Sequence, residues 1–440
     1  RTEQRGELFF VTAIAAHALS IFWIVGTHLQ AQPREDSPTV ELFAWLANRD
    51  AHARDQAARL LAERGDKSMA PAFIEALRFL PATRGWHDAM FRLTQERLGD
   101  DWNSWMKWLG GQQLTAHPDY LPFKVAILER IDPRFAEFFS KNVQTSIRLD
   151  LIIWGGVKVD GIPALDSPTM IQAMEATYLS DDEPVFGIEL NDDASAYPLR
   201  IMDWHEMAND LVGGIPVSLA YCTLCGSAIL FDRRVGDKVL RFGSSGLLYE
   251  SNKLMYDNET KSLWATMHGT PVVGSLVNKG FELRRLPIVR TSWKDWKTMH
   301  PSTRVLSLET GHNRDYSPGA AYGSYFESDE LMFPVSRKHP ALRAKEWVFG
   351  VLIGGKPKAY PLKQLSRYRV LNDTIRGTSV VVLSNPENLA VRIYDRREFR
   401  FLEKEGVLLD HRGSEWTITE EFLVERNTGE RLHRRSGHLA

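Results

Sequence analysis

The sequence predicts an α+β protein in three parts: a single N-terminal transmembrane helix, a small α-helical segment of HEAT-like character, and a β-rich region of two duplicated units. Three observations predict it. An uncharged apolar run lies near the N-terminus, apolar residues then recur at three- and four-residue spacing, and a later segment repeats itself at a constant offset of 163 residues. The composition fits a folded chain of several domains, with 440 residues, 43% hydrophobic and 25% charged. Lys+Arg 54 against Asp+Glu 56 leaves a net charge of −2, too balanced for a phosphate-neutralising surface, so nucleic acid is not expected as a partner. Two cysteines exclude a four-cysteine zinc site or iron–sulfur cluster built from this chain alone, and a disulfide-dense scaffold.

Residues 8–29 carry no Asp, Glu, Lys or Arg. As a helix they reach about 33 Å, enough to cross a hydrocarbon core of about 30 Å once. A cleaved signal peptide is the alternative, but its apolar core is usually shorter, and Leu29-Gln30-Ala31 is a poor small-x-small cleavage site. Arg1 and Arg5, with Glu3 and Glu7, precede the run, and Arg34, Glu35 and Asp36 follow it, two basic residues against one. That asymmetry predicts a single-pass anchor in the inner (cytoplasmic) membrane with the rest of the chain facing the periplasm. The sequence starts without Met and breaks off within what reads as the last strand pair of the second unit.

Over 40–145 the spacing of Leu42, Trp45, Leu46, Ala53, Ala57, Leu60 and Leu61 predicts amphipathic helices, and RDAHARDQAARLLAERGDKSMAPAFIEAL resembles a HEAT-like repeat. One or two copies are too few for a free solenoid, so the segment is expected to dock on its neighbour. Trp102, Trp105 and Trp108 read as core packing, with a membrane-surface or partner contact as the sharper alternative.

Residues 185–234 align without a gap on 348–397, with 14 identities in 50 positions. VFGI matches VFGV, AYPLR matches AYPLK, Asn209-Asp210 matches Asn372-Asp373, and FDRR matches YDRR. Within each copy, short β-branched and aromatic runs bounded by turn residues predict antiparallel strands. We expect a first unit over 160–290, a connecting region over 291–345 and a second unit over 346–440. Only the first copy has cysteines: Cys222 faces Asn385 and Cys225 faces Asn388.

Cys222-Thr-Leu-Cys225-Gly226 leaves a predicted strand into a turn. A c-type haem would need His where Gly226 stands, which rejects it. A thioredoxin-like redox pair normally opens a helix, whereas GSAILFDR reads as a strand. A structural disulfide and a metal knuckle both stay open, the second requiring two more ligands, with copper or zinc as the suited ions. His268 is the chosen third ligand, with His205, His312 and Met255 as further candidates. Thr310-Gly-His-Asn-Arg314-Asp315-Tyr316 lies between the copies, where a binding loop is expected, and Arg314 could clamp an anion or pair with Asp315. Phe242-Gly-Ser-Ser-Gly246 lacks the Lys of a phosphate-binding loop and reads as a turn.

AYCTLCGSAILFDR, RFGSSGLLYESNKLMYDNETKSLW, TGHNRDY, KAYPL and VLND together resemble the uncharacterised family called domain of unknown function 3179, from about Asp160 onward. The resemblance implies a usually extracytoplasmic protein without an assigned activity. It implies a motif set of Tyr221, Cys222, Cys225, Ser227, Phe231, Asp232 and Arg233, with Arg314, Asp315 and Tyr316. Two functions are therefore expected. The first is a membrane-anchored metal-binding or thiol-redox protein working at Cys222 and Cys225, with Tyr221, Ser227, Arg314, Asp315 and Tyr316 as binding residues. The second is a non-catalytic accessory subunit of a larger membrane complex, with a structural disulfide. A hydrolase or transferase using Cys222 or Ser227 lacks an identifiable base.

Overall fold

The computed structural model describes residues 32–140 and 143–440. The apolar run 8–29 lies outside the described residues, and among those described no helix is long and apolar enough to cross a membrane. Among the described residues six α-helices come first: α1 Thr39–Leu46, α2 Ala51–Glu63, α3 Ala70–Leu77, α4 Arg84–Thr94, α5 Trp102–Gly111 and α6 Tyr120–Glu129. Asp50, Thr83 and Asp101 start three of them by accepting backbone N–H groups of the first turn, which satisfies donors that have no intrahelical partner. Every residue of α3 is buried, as its all-round apolar sequence requires. The exception in polarity, Glu75, is met by Lys124 Nζ at 2.7 Å and the Tyr120 hydroxyl at 2.8 Å, both from α6. The tryptophan stripe packs internally: Trp105 is buried with its ring 5.6 Å from that of Trp86, and Arg78 covers Trp102. This core continues into Ile153, Leu248 and Phe333, so the helices rest on the β region as expected.

Residues 152 onward form the β region. The elements that carry the argument are β1 Pro184–Leu190, β2 Asp193–Pro198, α7 Leu199–His205, β3 Met207–Val212, β4 Ile215–Cys222, β5 Ser227–Asp232, β6 Phe242–Tyr249 and β7 Asn252–Asp257. Further on stand β8 Val348–Ile353, β9 Lys356–Pro361, β10 Val370–Ile375, β11 Thr378–Asn385 and β12 Ala390–Asp395. The bounds of β2 to β5 and of β9 to β12 differ by the same 163 residues throughout. Register follows: Met207 opposes Ala220 as Val370 opposes Leu383, and Cys222 opposes Ser227 as Asn385 opposes Ala390. Side chains repeat as well. Tyr197 donates to Asp210 at 2.6 Å and Tyr360 to Asp373 at 2.7 Å.

The structural likeness runs further than the sequence likeness. Asn209 clasps the backbone of Phe242, and Asn372 clasps that of Phe401. The β6–β7 hairpin pairs Phe242 with Asp257, whose carboxylate accepts from Trp264 at 2.9 Å. In the second unit Phe401 pairs with Asp410, which accepts from Trp416 at 3.0 Å. Between those anchor pairs the second hairpin is the shorter one, so it lacks the tip that carries Asn252 and Lys253 in the first.

The segment expected as a connecting region supplies structure to the first unit. Its helix Trp293–Met299 precedes strand Arg304–Leu306, which lies parallel beside β2. A second parallel pair joins Leu165–Asp166 to β3, so the expectation of antiparallel sheets holds for the hairpins but not for these two additions.

The two units meet through polar contacts. Asn388 donates to Thr291 at 3.1 Å and also to Asp295, and Arg434 donates to the Ile288 carbonyl at 2.7 Å. Glu420, 1% exposed, is gripped by Arg392 and Arg434. Burial alone would raise its carboxyl, but the two guanidiniums outweigh it and hold the pKa down at about 2. An unfolded Glu titrates near ~4.3, so this depression contributes about 3 kcal/mol above that pH, lost as the pH falls toward 2. Chemical denaturation of Glu420→Gln should therefore show a loss of about 3 kcal/mol at neutral pH, because two buried guanidiniums lose their partner. Between pH 5 and pH 2 the variant should lose less stability than the parent protein.

Candidate functional site

The candidate site is built by the end of β4, the start of β5 and the tip of the β6–β7 hairpin. β4 ends at Cys222, a single 3-10 turn spans Thr223–Cys225, and Gly226 at φ +62° turns the chain into β5. A side chain at Gly226 would sit in the left-handed region with its Cβ 2.8 Å from the Trp347 ring, which explains glycine there on two counts.

Both thiols are free, and their sulfurs lie 2.9 Å apart. Cys222 is buried, whereas Cys225 is partly exposed. The environment separates them. Cys225 is lowered because its sulfur accepts from the Cys222 thiol and from the Asn252 amide at 3.2 Å. Cys222 is pushed well up by donating to Cys225 and by burial. The environment thus favours ionisation at Cys225 and disfavours it at Cys222.

Lys253, 3% exposed, reaches under the turn. Its ammonium donates to the carbonyls of Glu206 at 2.7 Å and Tyr221 at 2.8 Å and stands 3.5 Å from the Glu206 carboxylate. Burial lowers its pKa, opposed by Glu206 and both sulfurs. Thr223 donates to the other Glu206 oxygen. Cys222, Glu206, Lys253 and Tyr322 line a cavity of about 40 Å³ together with Leu224, Leu248, Met332 and Phe333. That volume suits roughly three water molecules. Helix Gly323–Glu327 lies over the turn, with the Tyr325 hydroxyl donating to the Leu224 carbonyl at 3.1 Å.

The other residues singled out from the sequence are distributed differently. Tyr221 packs its ring 5.1 Å from Phe186 and hydrogen-bonds Asp203, whose carboxyl burial raises to about 7. Ser227 is 1% exposed beside Cys225, and its hydroxyl makes no hydrogen bond of ordinary geometry. Arg314, Asp315 and Tyr316 seal α7 instead. Arg314 stacks over Trp204, the Asp315 carbonyl accepts from the Trp204 indole at 2.6 Å, and Tyr316 meets His205 at 2.6 Å. None of the three lines the cavity at Cys222. Asp232 accepts from Arg234 and Arg284, which outweigh its burial and hold it at about 2; Arg233 binds the carbonyls of Leu240 and Asp210. These two are structural.

The expected copper or zinc centre is not assembled. Among the described residues no group of three or more His, Cys, Asp or Glu side chains could hold a metal ion. His268 lies in a different pocket with His339 and His438.

Glu206, Thr223, Asn252 and Lys253 are members of the candidate site that the motif reading passed over. Two of them had a visible signal, since the same gapless alignment puts Arg369 opposite Glu206 and Pro386 opposite Thr223. The second unit thus lacks every polar partner of the sulfurs as well as the sulfurs themselves.

A comparison with protein families matches residues 159–437 to the family described as "Protein of unknown function (DUF3179)". The chain belongs to that family. The DUF3179 match covers both β units and leaves out the helical segment before them. No curated protein and no solved structure matches the chain.

Two outcomes are expected. On reduced protein alkylated at increasing pH, peptide mapping should find Cys225 modified first. Asn252→Ala should move that reactivity toward higher pH, and prior labelling of Cys222 would reverse the assignment. Gly226→Ala should lower the thermal midpoint, at a cost of roughly 1–2 kcal/mol from the left-handed backbone and the Trp347 contact.

Proposed function

We propose that DUF3179 residues Cys222 and Cys225 form a thiol–disulfide exchange site. One observation carries the reading: two free thiols 2.9 Å apart whose pKa values move in opposite directions. That division supplies an attacking thiolate and a resolving thiol, as exchange requires. Cys225, the partly exposed sulfur, attacks a disulfide of the substrate and forms a mixed disulfide, releasing one substrate thiolate. Cys222 then gives its proton to the released substrate thiolate and attacks the Cys225 sulfur. The mixed bond breaks, the second substrate thiolate leaves, and Cys222 is joined to Cys225. Two electrons pass from the dithiol to the substrate, and the reverse sequence oxidises a substrate dithiol. Lys253 steadies the developing thiolates from below, and the Thr223–Glu206 pair fixes the turn.

The apolar run 8–29 with Arg1 and Arg5 before it supports placing this site outside the cytoplasm on a membrane anchor, where disulfides persist. A second reading, an accessory subunit whose cysteines close a structural disulfide, draws support from the 1% exposure of Cys222.

Two measurements separate these readings. Incubated with oxidised glutathione, Cys222→Ser should accumulate a stable adduct at Cys225, whereas Cys225→Ser should accumulate little. The parent protein should become two hydrogens lighter, with no retained adduct. Reduction should return it to the dithiol with its fold intact. Loss of the fold on reduction, or absence of the adduct in Cys222→Ser, would instead support the structural disulfide.

A further inference from the structure

A second pocket lies at the seam between the units, walled by Met267 and Arg285 of the first and by Val348–Pro361 and His438 of the second. Its volume is about 780 Å³, within the range of small-molecule sites. Its lining is of two chemistries. Leu342, Leu352, Pro357 and Pro361 are apolar. Arg285 lines it as well, with His268 and His438 near enough for its charge to act on both.

Arg285 spends one nitrogen on the Met267 carbonyl at 2.6 Å, and its buried Nε has no hydrogen-bond partner. Among the described residues no Asp or Glu lines the pocket; Glu282 acts on Arg285 only through its field. Lys358, at the rim, is already paired with Asp373. A guanidinium with no acid in contact keeps an uncompensated charge, and a carboxylate supplies the opposite charge in two-point geometry. The histidines do not form a metal site, because no group of three potential ligands close enough to hold an ion occurs among the described residues. We propose that this pocket binds a small monocarboxylate with an apolar tail, its carboxylate on Arg285 and its tail against Leu342 and Leu352. Such a ligand touches both units, so it would tie them together without involving the thiols.

Isothermal titration of the full chain with 4-phenylbutanoate tests this. The expected result is saturable binding at one site, weakened at least tenfold in Arg285→Met. Leu352→Glu, a substitution at a position 37% exposed, should weaken it comparably while leaving the core intact. The neutral 4-phenylbutan-1-ol should bind at least tenfold more weakly than the acid. No saturable binding, or equal binding of acid and alcohol, or equal binding by both variants and the parent protein, would overturn the proposal.

Discussion

Lys253 is the pin on which the candidate site depends. It sits at the tip of the β6–β7 hairpin, yet its ammonium is spent on groups of another sheet, the carbonyls of Glu206 and Tyr221 and the Glu206 carboxylate. A charge buried to 3% exposure is tolerated only when its donors are all used and an opposite charge is close. Both conditions fix the hairpin against the end of α7 and the end of β4. The turn that carries the two sulfurs is therefore held from beneath by an ionic bond and from the side by Asn252. Glu206 takes part in a left-handed conformation, at φ 54°, because the chain must leave α7 sharply to begin β3.

The same constraint accounts for the difference between the two units. Strands β2–β5 and β9–β12 share length and register, and even the Tyr–Asp and Trp–Asp hydrogen bonds recur. What differs is one corner: the hairpin tip is shortened, and Glu206, Cys222, Thr223 and Cys225 become Arg369, Asn385, Pro386 and Asn388. Once Lys253 is gone, a buried Glu at its partner position would be an uncompensated charge. The losses belong together physically.

The duplicated strands were legible in the sequence because register is set by local alternation of apolar residues and by turn chemistry, both preserved in AYPL, ND and DRR. The cysteine turn was legible as a position but not as a chemistry. Its partners come from 27 to 47 positions away in sequence terms, as Asn252 and Lys253 do from Cys225 and Glu206, and no spacing rule connects them. His268 stands 43 positions beyond Cys225, and strand Leu263–Ala265 leads it to the pocket at the seam with the second unit. Arg314, Asp315 and Tyr316 formed a conspicuous polar motif whose role is to cover α7, a use that composition alone does not distinguish from ligand binding. The shortened second hairpin hid the remainder of the repeat, since a gapless comparison stops where the lengths diverge.

The turn of the second unit has a use of its own. Asn388, standing where the partly exposed sulfur stands in the first unit, is plugged into Thr291 and Asp295 across the seam. A thiol there could not supply the amide donor that this joint uses. Doubling the scaffold thus allowed a division of labour, in which one corner stays open to reagents and its twin is committed as a mortise. Evolutionary drift should accordingly be judged by different standards at the two corners: reactivity at the first, fit at the second.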